Sequence, residues 1–127
     1  MTDHIRLNDM VFYGYHGVLP EERTLGQRFI VDVDMSVDLR AAGRSDDLQQ
    51  TINYAEVYTL TRDIVVGEPL LLIEAVAQRI ADRVLAGYSA VDRIMVRIRK
   101  PEVPIAGSVL GSSEVCIERD RRDLVTE

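Results

Sequence analysis

The most constraining feature of this sequence is a long alternation of apolar and polar residues between positions 28 and 39. Successive side chains of a β-strand point to opposite faces, so this alternation predicts a long strand with one buried and one solvated face. Ile30 is the one apolar residue among the polar positions. The residues predicted to face the core are Phe29, Val31, Val33, Met35, Val37 and Leu39.

A shorter alternation near the N-terminus predicts a first strand that ends at Gly14. Its apolar residues occupy odd positions, namely Ile5, Leu7, Val11 and Tyr13. The glycine-punctuated segment 13–22 that follows is typical of a loop. Together the two alternations predict a hairpin with a long connection.

Two amphipathic helices are predicted in the middle of the chain. Asn53 is the expected N-cap of the first helix, and Glu56 lies where its capping-box partner belongs. Gly67-Glu68-Pro69 interrupts the periodicity, and a second helix then ends near Gly87. The residues at helical spacing are Tyr54, Val57, Tyr58, Thr61 and Val65, followed by Leu72, Ile73, Val76, Ala77, Ile80, Val84 and Leu85.

Two further strands, Ile94–Lys100 and approximately Ser113–Arg119, complete the order ββααββ. This order predicts an α+β domain in which both helices cover one face of an antiparallel sheet. We expect residues 1–119 to form a single domain and the charged residues 120–127 to form a frayed tail.

Composition narrows the functional classes. The net charge of −6 disfavours a nucleic-acid-binding protein, and no apolar run approaches the length of a membrane span. The N-terminus lacks a signal region, and the single Cys116 fits a reducing compartment, so we expect a cytoplasmic protein. With only His4 and His16 beside that cysteine, the chain offers few ligands for a transition metal, whereas its carboxylates leave magnesium open.

Lys100 is the only lysine among 15 basic residues, and all the others are arginine. Lysine can give and take a proton, whereas arginine stays charged. The strand alternation places Lys100 on the apolar face with Ile94, Val96 and Ile98, and Pro101 ends the strand. The sequence therefore favours a proton-transfer role for Lys100; the alternative is a strand-end lysine that reaches water, in a genome rich in arginine codons.

Glu74 is a second anomaly, because this carboxylate interrupts the apolar run from position 70 to 77 near a predicted helix start. No basic residue lies three or four positions away, so a ligand with a planar N–H fork would suit it; the alternative is a water-exposed glutamate. Glu22, Tyr54 and His16 are weaker candidates. A solvated loop carboxylate, a packing tyrosine and a loop hydrogen-bond group are their ordinary alternatives.

Six segments in order resemble the dihydroneopterin aldolase family of folate biosynthesis, over Ile5 to Arg119. They are Tyr13-Gly14-Tyr15-His16-Gly17-Val18 with Glu21-Glu22, Leu25-Gly26-Gln27-Arg28-Phe29, Ser45-Asp46-Asp47-Leu48, Thr51-Ile52-Asn53-Tyr54, Leu72-Ile73-Glu74, and Lys100-Pro101 with Pro104-Ile105. The resemblance implies the tunnelling fold, in which sheets of several subunits close into a β-barrel. It also implies a homo-tetramer or a stacked homo-octamer with each site between neighbours.

The resemblance assigns roles to individual residues. Glu74 and the Ile73 backbone would hold the amino-pyrimidine edge of a pterin. Lys100 would be the general base and acid, and Tyr54 of an adjacent subunit would relay protons. Glu22 would order the polar tail of the substrate and its waters. The backbone from Thr51 to Asn53, including Ile52, would wall the pocket.

The implied reaction is the retro-aldol cleavage of 7,8-dihydroneopterin. A dihydropterin carries its own electron sink in the ring C=N bond, so we expect no Schiff base, no metal and no cofactor. One alternative is epimerisation of the same side chain or of the triphosphate, and another is a non-catalytic pterin-binding oligomer. Lys100 and Tyr54 argue against the second, because a pure binder needs no proton-transfer groups.

Overall fold

The computed structural model describes residues 3–124, in which four strands form one antiparallel sheet of spatial order β1-β2-β3-β4. The strands are β1 His4–Gly14, β2 Gln27–Val37, β3 Val91–Lys100 and β4 Ser113–Asp120. The helices are α1 Pro20–Leu25, α2 Arg40–Ser45, α3 Tyr54–Val65 and α4 Ile73–Gly87, with 3-10 turns at Leu48–Gln50 and Arg121–Asp123. The predicted α+β order of two strands, two long helices and two strands is confirmed, and the short α1 and α2 are additions to it.

The long alternation forms β2 as predicted. Phe29, Val31, Val33, Met35 and Val37 are at most 1% exposed and line the sheet face that α3 and α4 cover. The core lies between that face and the buried sides of the two helices. On the helices its members are Val57, Ile64, Val65, Ile73, Val76, Ala77, Ile80, Ala81, Val84 and Leu85.

The prediction that one face of β1 carries all its odd-numbered apolar residues is wrong beyond Leu7. A β-bulge places two residues of β1, Asn8 and Asp9, against the single Asp32 of β2, and Asp9 adopts the left-handed conformation with φ of 55°. One extra residue exchanges the two faces of a strand. Met10 and Phe12 are therefore buried, whereas Val11 and Tyr13 are about half exposed.

The start of α3 confirms one of its two predicted capping contacts. The Asn53 side chain accepts a hydrogen bond from Ala55 N at 3.0 Å, which confirms the predicted N-cap. Glu56 does not complete a capping box; its Oε1 accepts from the Tyr88 hydroxyl at 3.0 Å, which ties the start of α3 to the residue after α4.

No helix within residues 3–124 combines the length and apolar character that a membrane crossing requires.

The C-terminal segment is ordered beyond the predicted end of β4. Arg121 donates to the Leu85 carbonyl at 3.0 Å and to the Tyr88 carbonyl at 2.7 Å, at the end of α4. The segment predicted as a frayed tail therefore begins with residues held against α4, and residues 125–127 lie outside the described residues. That residues 1–119 form a single domain stays a prediction.

Candidate active site

Three segments meet where β3 ends: α1, the first residue of β2 and the last residue of β3. Lys100 shares the helix-covered face with Ile98, as the alternation predicted, and its side chain is 13% exposed. Its Nζ lies 2.7 Å from Glu22 Oε2. The side chain ends in an ion pair with a buried carboxylate. It does not extend into solvent, so the alternative interpretation of a strand-end lysine that reaches water is wrong.

Glu22 is 7% exposed and is not a solvated loop carboxylate. It lies on α1, which begins at Pro20, and its Oε1 accepts from Leu19 N at 3.3 Å. Burial raises the pKa of Glu22, but the hydrogen bonds from Lys100, Gln27 and Leu19 N outweigh burial, so its pKa lies below the ordinary value. The group is therefore a carboxylate at neutral pH.

Gly17 allows the loop to pass against this carboxylate. Its φ is 153°, and a Cβ at this position would lie 2.4 Å from the Glu22 side chain. A larger residue at position 17 would displace Glu22 from Lys100, so glycine is required by both backbone conformation and space.

Gln27 is the residue of this cluster that the sequence analysis missed. It is 8% exposed, and its Nε2 donates to Glu22 Oε2 at 2.7 Å. The signal was present, because Gln27 occupies an odd position, on the inward face with Phe29. A polar residue at the start of an apolar strand face indicates a buried partner, but it does not say which one.

His16 is fully buried and acts as a structural hydrogen-bond group. Its Nε2 donates to the Val65 carbonyl at 2.7 Å, and its Nδ1 accepts from Leu70 N at 2.9 Å. Burial lowers the pKa of His16 below 6.5, more than its bond to Val65 raises it, so the neutral ring fits both contacts. Gly17 N also donates to the Leu70 carbonyl at 3.0 Å, so the loop before α1 is fixed to the connection before α4.

The start of α4 carries two of the predicted binding residues. Ile73 is 8% exposed and joins the core, whereas Glu74, in the first turn, faces solvent in the single chain. The His16–Leu70 contact links this helix start to the loop that leads to Glu22.

Tyr54 and Ile52 lie elsewhere in the chain. They line a groove of about 600 Å³ with Ile5 and Leu7 of β1, and Tyr54 is 59% exposed. Leu7 is paired with Val33 of β2, and Ile30 with Arg99, which precedes Lys100. Lys100 lies one residue beyond Arg99, so its level on β2 is four residues from Val33, or roughly 13 Å. A single chain therefore does not bring Tyr54 and Lys100 together.

Within residues 3–124, no three His, Cys, Asp or Glu side chains are grouped as metal ligands. Metal independence stays a prediction that activity measurements must test.

The fold is an antiparallel sheet with helices on one face, and the candidate site is a buried carboxylate–amine pair at the end of a strand. The sequence model of the dihydroneopterin aldolase family matches residues 5–118. The chain therefore belongs to the dihydroneopterin aldolase family, and the resemblance found in its motifs is confirmed.

Individual relatives agree with this assignment. The dihydroneopterin aldolase of Bacillus subtilis is 51% identical over 105 residues, which cover 83% of this chain and 88% of the relative. Dihydroneopterin aldolase 1 of Arabidopsis thaliana is 41% identical over 121 residues, which cover 95% of this chain and 83% of the relative. The crystal structure of E. coli dihydroneopterin aldolase in complex with neopterin superposes with a TM-score of 0.84 at 27% identity, covering 93% of this chain and 99% of that one.

Proposed function

We propose that this chain is a lyase of folate biosynthesis that cleaves 7,8-dihydroneopterin into 6-hydroxymethyl-7,8-dihydropterin and glycolaldehyde. The observation that carries the proposal is the Lys100–Glu22 pair, 2.7 Å long and buried at the end of β3, in a chain of the dihydroneopterin aldolase family. Binding of a pterin alone requires no amine at the site, so the presence of Lys100 favours catalysis over binding alone.

The proposed cleavage requires one proton transfer before the carbon–carbon bond breaks and one after it. A base removes the proton of the hydroxyl on the second side-chain carbon, the bond to the first carbon breaks, and the electron pair moves into the ring C=N bond. Glycolaldehyde leaves, and the enol-like pterin takes up a proton at the first side-chain carbon to give the hydroxymethyl product. No external oxidant or electron acceptor is needed.

Lys100 is the group that we assign to these transfers. An ammonium cannot accept a proton, so Lys100 acts as the base only after its own proton has moved on to water, while the Glu22 carboxylate stays 2.7 Å from its Nζ. Glu22 has a pKa below the ordinary value, and it therefore stabilises the ammonium that returns the proton later in the cycle.

The pterin ring is assigned to the start of α4. Glu74 is exposed there in the first turn and offers two carboxylate oxygens to the N–H groups of the amino-pyrimidine edge, with the Ile73 backbone beside it. Hydrogen bonds to an ionised carboxylate are stronger than neutral ones, so Glu74 would supply most of the ring's orientation.

Tyr54 and Ile52 are assigned to the same site from a neighbouring subunit. Roughly 13 Å of sheet separates their groove from the Lys100 level within one chain. β1 and β4 are the edges of the sheet, and closure of several sheets into a barrel would pair these edges. These open edges support the homo-tetramer or homo-octamer with interface sites that the family resemblance implies.

Incubation of the purified chain with 7,8-dihydroneopterin, followed by mass spectrometry of the products, tests the function. We expect glycolaldehyde and the hydroxymethyl pterin in equal amounts, before and after EDTA treatment and dialysis. An epimer as the sole product would support the epimerase alternative. Binding without turnover would support the pterin-binding alternative.

A further inference from the structure

Gln27 extends the Lys100–Glu22 pair into a cluster of three side chains. We propose that Gln27 is a positioning residue that fixes the Glu22 carboxylate and, through it, the Nζ of Lys100. The inference rests on the proposed function, because it gives Gln27 a part in the same reaction. Gln27 itself is not expected to contact the reacting atoms.

The contacts define how the carboxylate is held. Glu22 Oε2 accepts from both Gln27 Nε2 and Lys100 Nζ, each at 2.7 Å, while Oε1 accepts from Leu19 N at 3.3 Å. Donors from β2, β3 and the residue before α1 therefore surround one carboxylate. The Gln27 amide does not titrate, so its contact persists when the proton on Lys100 moves.

The backbone of Gln27 is itself firmly held. It is the first residue of β2 and is paired with Gly14 of β1. The preceding Gly26 has φ of 71° and donates its N–H to the Glu22 carbonyl at 3.1 Å. A Cβ at position 26 would lie 2.4 Å from the Tyr13 ring, so this turn is fixed by space as well as by conformation. The backbone that carries the Gln27 amide is therefore fixed next to Glu22.

Loss of the Gln27 amide has a consequence that packing alone would not produce. Glu22 would keep Lys100 and Leu19 N but lose a buried donor, so its carboxylate would turn more freely and bind protons more readily. The charged groups near Glu22 are Lys100, from β3, and Glu21 and Glu102, which line the same shallow pocket. Glu102 is itself paired with Arg28, at 2.6 Å.

The experiment compares Gln27→Met, which keeps the size of the side chain but removes its donor, with Gln27→Glu, which donates only when protonated. Gln78→Met is the matched control, because Gln78 is partly buried on α4 and bonds Asp82 and Arg119, outside the site. For each variant we would measure thermal unfolding, kcat and KM for dihydroneopterin, their pH profiles and the Kd of neopterin by calorimetry.

For Gln27→Met we expect kcat to fall by about 10- to 100-fold, with KM and the Kd of neopterin within about threefold of the parent values. The acid limb of the kcat profile should move to higher pH. Gln27→Glu should recover part of its activity as pH falls, because its protonated carboxyl donates to Glu22. Gln78→Met should keep the parent kcat and acid limb.

Three results would overturn the inference. They are an unchanged kcat in a folded Gln27→Met, an unshifted acid limb, and a loss of kcat that Gln78→Met matches. If Gln27→Met does not fold, Gln27→Glu decides, and activity that does not rise towards acid pH would count against the inference. A parent chain that forms no cleavage product would instead refute the proposed function, while an NMR titration of the Glu22 carboxyl in the parent and Gln27→Glu would still test the positioning role.

Discussion

At the scale of single residues, local pattern places Lys100 correctly but cannot supply its partner. The strand alternation puts Lys100 on the inward face, and this follows from neighbours two and four positions away. Its contact with Glu22 spans 78 positions, so no local periodicity reports it. Glu22 looked like a solvated loop carboxylate because the six-residue α1 that buries it is too short to give a periodic signal.

Lys100→Arg separates charge from proton transfer. Arginine would preserve the ion pair with Glu22 but cannot release a proton, so turnover should fall by about 10²–10⁴-fold while neopterin affinity changes little. Arg93→Lys, an exposed exchange in the opposite direction on the same strand, is the control and should leave turnover unchanged. Near-normal turnover in Lys100→Arg would remove Lys100 from the mechanism.

Glu74→Ala tests the ring-binding assignment. It removes a charge-assisted contact, so the Kd of neopterin should rise by about 10- to 150-fold. Glu68→Ala, an exposed glutamate just before α4, should leave the Kd unchanged. Calorimetry at constant pH measures both variants. If Glu74→Ala binds neopterin as tightly as the parent, Glu74 is only a water-exposed residue of the first helical turn.

His16 makes stability depend on pH in a defined window. Its pKa in the folded chain lies below 6.5, chiefly because the ring is buried, so the unfolded chain takes up the proton first as pH falls. The contribution of His16 is therefore complete above pH 6.5 and is lost as pH falls from 6.5 to the lowered pKa, at up to about 1.4 kcal/mol per pH unit.

Urea unfolding between pH 7.5 and pH 5 measures this dependence. His16→Gln, which keeps a polar side chain that does not titrate, should flatten the curve in this range. Glu22 does not interfere, because its pKa is lowered from 4.5 and its own contribution is lost below that pH. An equal slope in the parent and in His16→Gln would rule out His16 as the cause.

At the scale of elements, β2 follows its alternation, and β1 departs from its own because of the bulge. The inserted residue is Asp9, whose N–H donates to Asp32 Oδ1 at 2.6 Å on the sheet face away from the helices. Asp32 is 3% exposed and also accepts from Arg97 and Arg99. The sequence does not reveal the bulge, because the acceptor that holds it comes from another strand. An aspartate on the solvated face of β2 looks ordinary.

Asp32→Ala tests whether this carboxylate holds the bulge. It leaves the Asp9 N–H without its acceptor and Arg97 without its ion-pair partner, so the free energy of unfolding should fall by about 2–4 kcal/mol. Asp63→Ala, which removes an exposed pair with Arg62 on α3, should cost less than about 1 kcal/mol. Denaturant unfolding compares the two. Equal losses would mean that the bulge does not depend on Asp32.

At the scale of the whole molecule, the order of strands and helices could be derived from the sequence, but the complete site could not. Periodicity reports which face of an element is buried within one chain. It carries no information about which chain supplies a residue to a site. The distance between Tyr54 and Lys100 becomes visible only once β1, β2 and β3 are in register. An assembly of several chains is the arrangement that would bring the two residues together.

Mixing two inactive variants tests this assembly directly. Tyr54→Phe and Lys100→Ala each remove one group, and each should have little activity alone. If every site takes Tyr54 from one chain and Lys100 from its neighbour, refolding an equal mixture creates some sites in which both groups are intact. Random mixing predicts recovery of about a quarter of the parent activity.

Two measurements make the result unambiguous. Light scattering of the refolded mixture should give a mass of four or eight chains, and the double variant Tyr54→Phe/Lys100→Ala mixed with the parent chain controls for simple dilution. A mixture of the single variants that forms the full assembly but recovers no activity would place both groups in the same chain. An active monomer would contradict the interface site altogether, because one chain keeps the Tyr54 groove and Lys100 roughly 13 Å apart along the sheet.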